Sequence, residues 1–293
     1  MQIRQRLLHP DEDWENHRPE IEIRNGLRWV RPYETTMLAH VKAAWSGRPL
    51  LDVLSSNYDR FPPEYWREAV QDGRITLNGA KADQDTVVPA SGHICHRLHM
   101  HESPIAADPI DILHASDHLV VVNKPAGVPM HPVAMYRHNT LEWILAREHQ
   151  IRPVFMVSRL DMPTSGLVVI PRTPEMARTL RDQLTAHRVT KKYYARVVGR
   201  FPTEAQECSV PLQYEGKRRT TQTSCTPKMS NNVQASGEGK SAQTRFVGLS
   251  YDSTTDTSLG GVRARKVPRV WLHAIAYTGP DWHFECPPPP WAQ

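Results

Sequence analysis

The fold of this chain is decided by one stretch of sequence, Ser158-Arg159-Leu160-Asp161-Met162-Pro163-Thr164-Ser165-Gly166-Leu167-Val168-Val169-Ile170. Its apolar end, from Leu167 to Ile170, predicts a strand. Pro163 fixes one backbone angle and Gly166 adds backbone freedom, so a tight turn is predicted before that strand. We therefore expect Asp161 to end one strand and to begin the turn. Loops at the ends of strands on a rigid sheet often carry reactive side chains.

The neighbours of Asp161 allow two interpretations. Arg159 lies two residues earlier, so in an extended segment both side chains point to the same side. A nearby positive charge keeps a carboxylate ionised, ready to act as a nucleophile or an electrostatic partner. An Asp followed by Pro, Ser and Gly is also common as a turn residue that bonds to its own backbone. The local sequence leaves both interpretations open.

The composition is that of a globular protein with one large domain, or with a moderate domain and a small one. The chain has 293 residues, of which 39% are hydrophobic and 8% aromatic. Its net charge is only +5, but between residues 186 and 220 eight Lys and Arg stand against three Glu. This basic strip suits a phosphate backbone, and a solvated charged face fits it equally well.

Cysteine usage and hydropathy indicate the compartment. The cysteines, which are Cys95, Cys208, Cys225 and Cys286, form no CxxC pair. Their spacing argues against a disulfide framework or a zinc site and fits a reduced compartment. No apolar run approaches a membrane span, and the N-terminal residues are acidic where a secretory signal is apolar. We expect a cytoplasmic or nuclear protein that binds no membrane and no metal, with an organelle left open.

Before the Asp161 stretch, the sequence divides into a polar extension, residues 1–36, and a small unit of helices and a hairpin, residues 37–102. Helices are predicted over residues 37–45, 50–54 and 64–71. Gly73 is placed to end the last of them. The Asn78-Gly79 pair predicts a hairpin turn. It follows a strand at 74–77, and further strands are predicted at 85–88 and 93–98.

The main domain is predicted over residues 108–275, with a tail at 276–293. A strand is predicted over 111–122, and alternation predicts another from Lys191 to Val198. Helices are predicted to begin after Asn139 or Thr140 and at Thr173-Pro174, because Asn and Thr cap helices and Pro suits the first turn. Residues 221–241 are rich in Ser, Thr, Asn and Gly, which predicts a flexible insertion.

Three segments carry a resemblance to a known family. Residues 159–170, RLDMPTSGLVVI, resemble the RLDxxTSGLL signature of the RluA-type RNA pseudouridine synthases. Residues 120–132, VVVNKPAGVPMHP, resemble that family's strand followed by NKPxGxxxHP, and residues 191–198 resemble its KxYxAxV segment. The resemblance implies an α+β catalytic domain built on a large mixed, mainly antiparallel sheet flanked by helices.

The N-terminal unit carries a weaker resemblance. Its helices, followed by GRITLNG at residues 73–79, are similar to the S4-like RNA-binding module that precedes many synthases of this family. A generic αβ accessory domain remains the alternative. If the module is S4-like, Arg67, Arg74 and Lys81 are expected to contact phosphates.

The resemblance also implies roles at the site. Asp161 is the catalytic carboxylate, which attacks or polarises the ribose C1′ region of a uridine extruded from the RNA. Tyr193 matches the active-site tyrosine, which stacks on the uracil and helps to remove the proton from C5. Arg159 reaches into the RNA in place of the flipped base, and Lys191 is expected to contact RNA. We expect a monomer that acts on tRNA or rRNA and needs no cofactor or metal.

The chain departs from the family pattern in two places. Ser158 stands where the family usually has His. A third family segment, TGRTHQIR, whose basic residue pairs with the catalytic Asp, is absent; the sequence runs through residues 252–270 directly to Leu272-His273-Ala274. Substitute charges are available at Arg263, Arg265, Lys266 and Arg269. Two hypotheses therefore remain: an active synthase, or a catalytically impaired RNA-binding isoform.

Overall fold

The computed structural model describes residues 18–133, 135–196, 202, 204–209, 212–214, 233–235, 243–249 and 271–292. The strands are β1 (Ile21–Arg24), β2 (Leu27–Val30), β3 (Tyr33–His40), β4 (Ile75–Leu77), β5 (Ala80–Lys81), β6 (His93–Met100), β7 (Ile105–Ala106), β8 (Asp111–Ala115), β9 (Leu119–Lys124), β10 (Ser165–Pro171), β11 (Thr190–Ala195), β12 (Gln206–Cys208), β13 (Leu212–Tyr214), β14 (Val233–Ala235), β15 (Thr244–Phe246), β16 (Leu272–Thr278) and β17 (His283–Glu285). The helices are α1 (Leu50–Asn57), α2 (Pro63–Gln71), α3 (Leu141–Arg147) and α4 (Pro174–Thr185), with 3₁₀ turns at Ala43–Trp45 and Pro290–Ala292.

The largest sheet has the strand order β11-β16-β10-β9-β8. β10 pairs with the first half of β16, and β17 pairs with its last three residues, 276–278. All its pairings are antiparallel except that between β10 and β16. The apolar run of β10 is buried, with Leu167 and Ile170 at 0% exposure, and apolar residues of α3 and α4 belong to the same core. The predicted α+β fold with a mainly antiparallel sheet is confirmed.

Both predicted helix starts of the main domain are confirmed. The Thr140 hydroxyl accepts a hydrogen bond from the Trp143 amide at the start of α3. The Thr173 hydroxyl does the same for Met176 at the start of α4, where Pro174 occupies the first turn. These caps satisfy amides that have no partner within the helix.

A second sheet, of order β3-β6-β4-β5, supports the N-terminal core, in which α1 and α2 bury Leu50, Val53, Trp66 and Val70. The predicted hairpin turn is present: Asn78 and Gly79 both have positive φ, 53° and 82°, as a two-residue type I′ turn requires. Structure alone does not identify this unit as S4-like, and that assignment remains a prediction.

Two elements predicted in the N-terminal unit are wrong. The helix predicted over residues 37–45 is instead the second half of β3 and a 3₁₀ turn, because β3 pairs along its whole length with β6. The strand predicted at 85–88 is also wrong. The two-residue turn pairs β4 with Ala80 and Lys81 directly, and the Thr86 hydroxyl bonds to the Asp83 carboxylate at 2.7 Å in a turn of its own.

A buried carboxylate joins the N-terminal unit to the main domain. Glu102 accepts hydrogen bonds from three consecutive amides, those of Arg137, His138 and Asn139, at 2.8–3.0 Å. It also accepts one from the Tyr33 hydroxyl at 2.7 Å. The segment that leads into α3 is therefore bonded to the residue just beyond β6.

Contacts divide the chain into one unit of Met1–Arg196 with Arg265–Gln293 and another of Val197–Ala264. The second unit contains the antiparallel pairs β12–β15 and β13–β14. Most of the predicted insertion at 221–241 and all of residues 252–270 lie outside the described residues, and the predicted domain limits remain predictions. No helix in the described part of the chain is long and apolar enough to cross a membrane.

Candidate active site

Asp161 lies in an irregular segment just before β10, with its side chain exposed. The strand predicted to end at Asp161 is wrong, because residues 151–164 contain no strand. This segment contains Pro153 and Pro163, which lack the amides that a strand ladder needs. The predicted turn is present, since the Thr164 amide donates to the Asp161 carbonyl at 3.0 Å. Leu160 is buried between exposed Arg159 and Asp161, as expected of alternating side chains.

Two of the three segments that resemble family motifs, residues 120–132 and 159–170, meet at Met162, the residue after Asp161. Its carbonyl accepts hydrogen bonds from the Gly127 amide at 2.7 Å and from Lys124 Nζ at 3.3 Å. Lys124 Nζ also donates to the carbonyls of Pro125 and Val128, at 3.0 and 2.9 Å. The turn that carries Asp161 is therefore fastened to the loop after β9.

Lys124 is fully buried, at 0% exposure. Burial lowers the pKa of its ammonium group to about 7, and the negative charge of Asp161 acts in the opposite direction. An ammonium has three donors, and the three carbonyls around Nζ accept one each. When Lys124 is protonated, its charge attracts the exposed carboxylate of Asp161 on the turn above this loop's hydrogen bonds, and that attraction favours the protonated form.

A row of residues crosses four strands beside the Asp161 turn. Lys124 on β9 is opposite Gly166 on β10, Gly166 is opposite Ala274 on β16, and Ala274 is opposite Tyr193 on β11. Gly166 has a φ of +111°, and a Cβ atom there would lie 2.2 Å from the Ala274 carbonyl oxygen. Only glycine permits this close approach of β10 to β16. The approach places Tyr193 in the same row as Lys124.

Tyr193 forms a pair with Tyr277, their hydroxyl oxygens 3.0 Å apart. Burial raises the pKa of Tyr193; the hydrogen bond from Tyr277 lowers it, and the charge of Asp161 raises it further. Burial also raises the pKa of Tyr277, so both phenols are protonated at neutral pH. Lys191 Nζ lies 5.1 Å from the centroid of the Tyr277 ring, and desolvation lowers the pKa of that lysine.

The start of β10 is supported by a buried histidine. The Nε2 atom of His273 lies 3.1 Å from the Pro287 carbonyl, which can only accept, so Nε2 carries the proton. Its Nδ1 atom therefore accepts from the Ser165 hydroxyl at 2.8 Å. This contact fixes Ser165, four residues after Asp161, to the strand that carries Tyr277.

The structure brings together some of the predicted site residues and not others. The charge of Asp161 acts on Tyr193, and Lys191 contacts the partner of that tyrosine. Arg159 lies on the Asp161 segment, whereas Arg74 and Lys81 lie by the separate N-terminal sheet. No group of three or more His, Cys, Asp or Glu within the described ranges is placed to hold a metal ion.

Sequence reasoning missed Lys124 and Tyr277. Lys124 lies within the NKPAGV motif, so its position was evident, but its burial against three carbonyls depends on the fold. Tyr277 is the last residue but one of the strand LHAIAYT, and only the pairing of β16 with β11 places it beside Tyr193.

Comparison with known proteins adds to this geometry. A family model described as RNA pseudouridylate synthase matches residues 118–269. RNA pseudouridine synthase 7 of Oryza sativa subsp. japonica is 28% identical, over 94% of this chain and 92% of its own length. RNA pseudouridine synthase 7 of Arabidopsis thaliana is 35% identical, over 87% of this chain and 64% of its own length. The mitochondrial tRNA pseudouridine(32) synthase of Saccharomyces cerevisiae is 35% identical, over 80% of this chain, which spans 49% of that protein.

Proposed function

This chain belongs to the RNA pseudouridylate synthase family, and on that premise we propose that it isomerises uridine to pseudouridine in RNA with Asp161 as the catalytic carboxylate. One observation carries the assignment to Asp161. Its exposed carboxylate lies on a turn that Lys124 and Gly127 fasten, and its charge acts on Tyr193. A carboxylate on a fixed turn, with its charge reaching an aromatic hydroxyl, suits chemistry at a nucleoside.

The reaction exchanges one bond to the sugar for another. The bond between C1′ and N1 breaks, its electron pair leaves with the uracil, and the base turns to form a bond from C5 to C1′. An ionised carboxylate assists at C1′, either by covalent attack or by stabilising the positive charge that develops there. The base then loses its C5 proton and gains one at N1.

Tyr193 is the group proposed to stack on the uracil and to help to remove the C5 proton. Its raised pKa keeps the hydroxyl protonated before the reaction, so Tyr193 would first give that proton to N1 of the uracil and then, as a phenolate, take the C5 proton. Tyr277 would donate its hydrogen bond to the Tyr193 oxygen as negative charge develops on that atom, which makes Tyr277 a positioning residue. Arg159 and Lys191 are proposed to contact the RNA around the extruded nucleotide.

The RNA substrate is proposed to be tRNA or rRNA, with tRNA first because the yeast relative is named for a tRNA position. We propose the cytoplasm or the nucleus as the location. An organelle is a further candidate, because the same relative is named mitochondrial. We also propose that the chain acts as a monomer without a cofactor.

The competing proposal is an RNA-binding protein with little or no activity. It is favoured by the absence of the TGRTHQIR segment from the sequence. The candidate substitutes at Arg263, Arg265, Lys266 and Arg269 lie outside the described residues. Lys124 favours the active form, because its buried amine, when protonated, attracts the negative charge of Asp161.

Release of tritium from RNA labelled with [5-³H]uridine tests the proposal. The wild type should release tritium, and Asp161→Ala should reduce the rate by about 10⁴-fold or more, the least that removal of one member of a catalytic triad costs. Asp117→Ala is the matched control, because Asp117 is an exposed carboxylate in the turn before β9, at the opposite end of that strand from Lys124. Equal release by wild type and Asp161→Ala, or release by neither, would exclude the enzyme and leave the RNA-binding alternative.

A further inference from the structure

Lys124 is the largest fully buried side chain in the described part of the chain. Lysine is almost never fully buried unless it is paired, because an ammonium loses its hydration there. The sheet around it does not require a charge. The residue opposite it on β10 is Gly166, and the three valines before Asn123 on β9 belong to the apolar core. A buried cation at this position therefore indicates a role beyond packing.

The hydrogen bonds around Lys124 depend on whether the group carries its third proton. The ammonium has three N–H donors, one for each of the carbonyls of Pro125, Val128 and Met162. The neutral amine has two donors and a lone pair, so one of the three carbonyls would face a lone pair. The bond to Met162 is the longest, at 3.3 Å against 3.0 and 2.9 Å, and is therefore the one most easily lost.

Asp161 is the charged group that acts on Lys124 from the turn. Burial favours the neutral amine and the negative charge of Asp161 favours the ammonium, which leaves the pKa of Lys124 at about 7. Tyr193, in the same row, is a neutral phenol with a raised pKa. On β8, Asp111 bonds to Asn123, whose side chain points to the face of the sheet opposite to that of Lys124. The proton on Lys124 is therefore balanced between burial and Asp161.

We propose that Lys124 is a positioning residue whose proton fastens the catalytic turn: the ammonium holds the Met162 carbonyl and attracts the Asp161 carboxylate, whereas the neutral amine does neither. That the turn is catalytic rests on the proposed function. Lys124 itself touches neither the sugar nor the base. The Gly127 amide bonds to the same carbonyl at 2.7 Å, so the turn loosens without detaching when the proton leaves for solvent. The ammonium supplies part of the positive charge that the absent TGRTHQIR segment would bring to Asp161.

Nuclear magnetic resonance tests the contact without RNA. In protein labelled with ¹³C-Lys, ¹³C-Met and ¹⁵N-Pro, Lys124 and Met162 are identified directly, because Lys124-Pro125 and Met162-Pro163 are the single Lys-Pro and Met-Pro pairs of the sequence. The Cε signal of Lys124 and the carbonyl signal of Met162 should titrate together near pH 7. Asp161→Asn should move that midpoint to lower pH. The matched control Asp117→Asn, at an exposed carboxylate, should leave it in place. Separate midpoints, or a midpoint unchanged by Asp161→Asn, would overturn the proposal.

Tritium release from pH 6 to 9 with saturating RNA tests the consequence for the reaction. The wild-type rate should fall about tenfold for each pH unit above the midpoint of Lys124, because only the ammonium form positions the turn. The phenol of Tyr193 cannot cause this fall, since its raised pKa lies above the range. Lys124→Met should be about 10²-fold slower below the midpoint, the cost of a misplaced group, and should lack the fall. Lys42→Met, which removes an exposed lysine of the N-terminal unit, should keep the wild-type profile.

A Lys124→Met variant that keeps the fall would make the lysine merely structural, and a wild type without the fall would overturn its role. The wild-type profile and the Asp161→Asn titration need no change at Lys124, so both stay valid if Lys124→Met does not fold. Absence of tritium release from the wild type would reject the proposed function instead. The resonance titration would then still decide whether the proton on Lys124 holds Met162.

Discussion

At the scale of the residue, the buried His96 makes the stability of the folded chain depend on pH. Its pKa is lowered from 6.5 to about 4, first by burial and then by the charges of Arg74 and Arg60. Between those pH values the unfolded chain binds a proton that the folded chain does not. The free energy of unfolding therefore falls as the pH is lowered through this window, and it is independent of His96 above pH 6.5.

We expect the wild type to lose about 3 kcal/mol of stability from His96 alone between pH 7 and pH 4, since each pKa unit corresponds to about 1.4 kcal/mol. His96→Gln keeps an acceptor for the Tyr65 hydroxyl but cannot titrate, so its stability should fall less over the same range. Urea unfolding at pH 7, 5.5 and 4.5 measures both proteins. The same pH dependence in the two proteins would contradict this account.

A site residue could be predicted from the sequence when it lies within a recognisable local motif. Asp161 and Tyr193 were chosen from the segments RLDMPTSGL and KKYYARV, and the structure places them within electrostatic reach. Lys124 and Tyr277 could not be assigned roles, because these depend on burial and on neighbours across the sheet.

At the scale of the element, the contact between β10 and β16 depends on Gly166. Gly166→Ala would place a methyl group 2.2 Å from the Ala274 carbonyl, where neither backbone can move without breaking its pairing. We expect a loss of about 3 kcal/mol or more in the free energy of unfolding. Activity should fall as well, because the same contact aligns Tyr193 with the Asp161 turn.

Gly47→Ala is the control for this substitution. Gly47 also has positive φ, +78°, but a Cβ atom there would have nothing within 4 Å. The substitution should therefore lower the free energy of unfolding by only about 1–2 kcal/mol, the cost of placing a side chain on left-handed backbone. Urea unfolding compares the two variants, and equal losses would show that β10 and β16 are not held at the distance described.

Elements were predictable where the determinants are local. The starts of α3 and α4 follow from Thr140 and from Thr173-Pro174, and the hairpin turn follows from Asn78-Gly79. β3 was mistaken for a helix because its partner, β6, lies about sixty residues later. Pairing over that distance outweighs the weak local preference of a short segment.

At the scale of the whole molecule, Glu102 couples two hydrophobic cores. Glu102→Ala removes the acceptor of three buried amides and of the Tyr33 hydroxyl. We expect a loss of about 3 kcal/mol or more, since unsatisfied buried donors cost about 1–3 kcal/mol each. The thermal transitions of the two cores should then separate. Calorimetry, with tryptophan fluorescence as a second probe, should resolve them, because Trp45 and Trp66 lie in one core and Trp143 beside the other.

Glu68→Ala is the matched control, as Glu68 is an exposed carboxylate on α2. It should leave the melting profile unchanged. A variant at Glu102 that melts with the wild-type profile would show that the cores are coupled by other contacts. The kind of sheet was predictable from family motifs, but this coupling was not, since Glu102 and residues 137–139 lie outside the three family segments.

The parallel contact of β10 with β16 also affects the order in which parts of the chain fold. Ser165 and His273, which bond across it, are 108 residues apart, whereas the N-terminal core draws on residues 45–94. Closing a long loop costs more entropy than closing a short one, and contacts distant in sequence form slowly. A newly made or refolding chain should therefore complete the N-terminal core first. The row of Lys124, Gly166, Ala274 and Tyr193 would be completed later, so for an interval the chain would be partly folded and without the proposed activity.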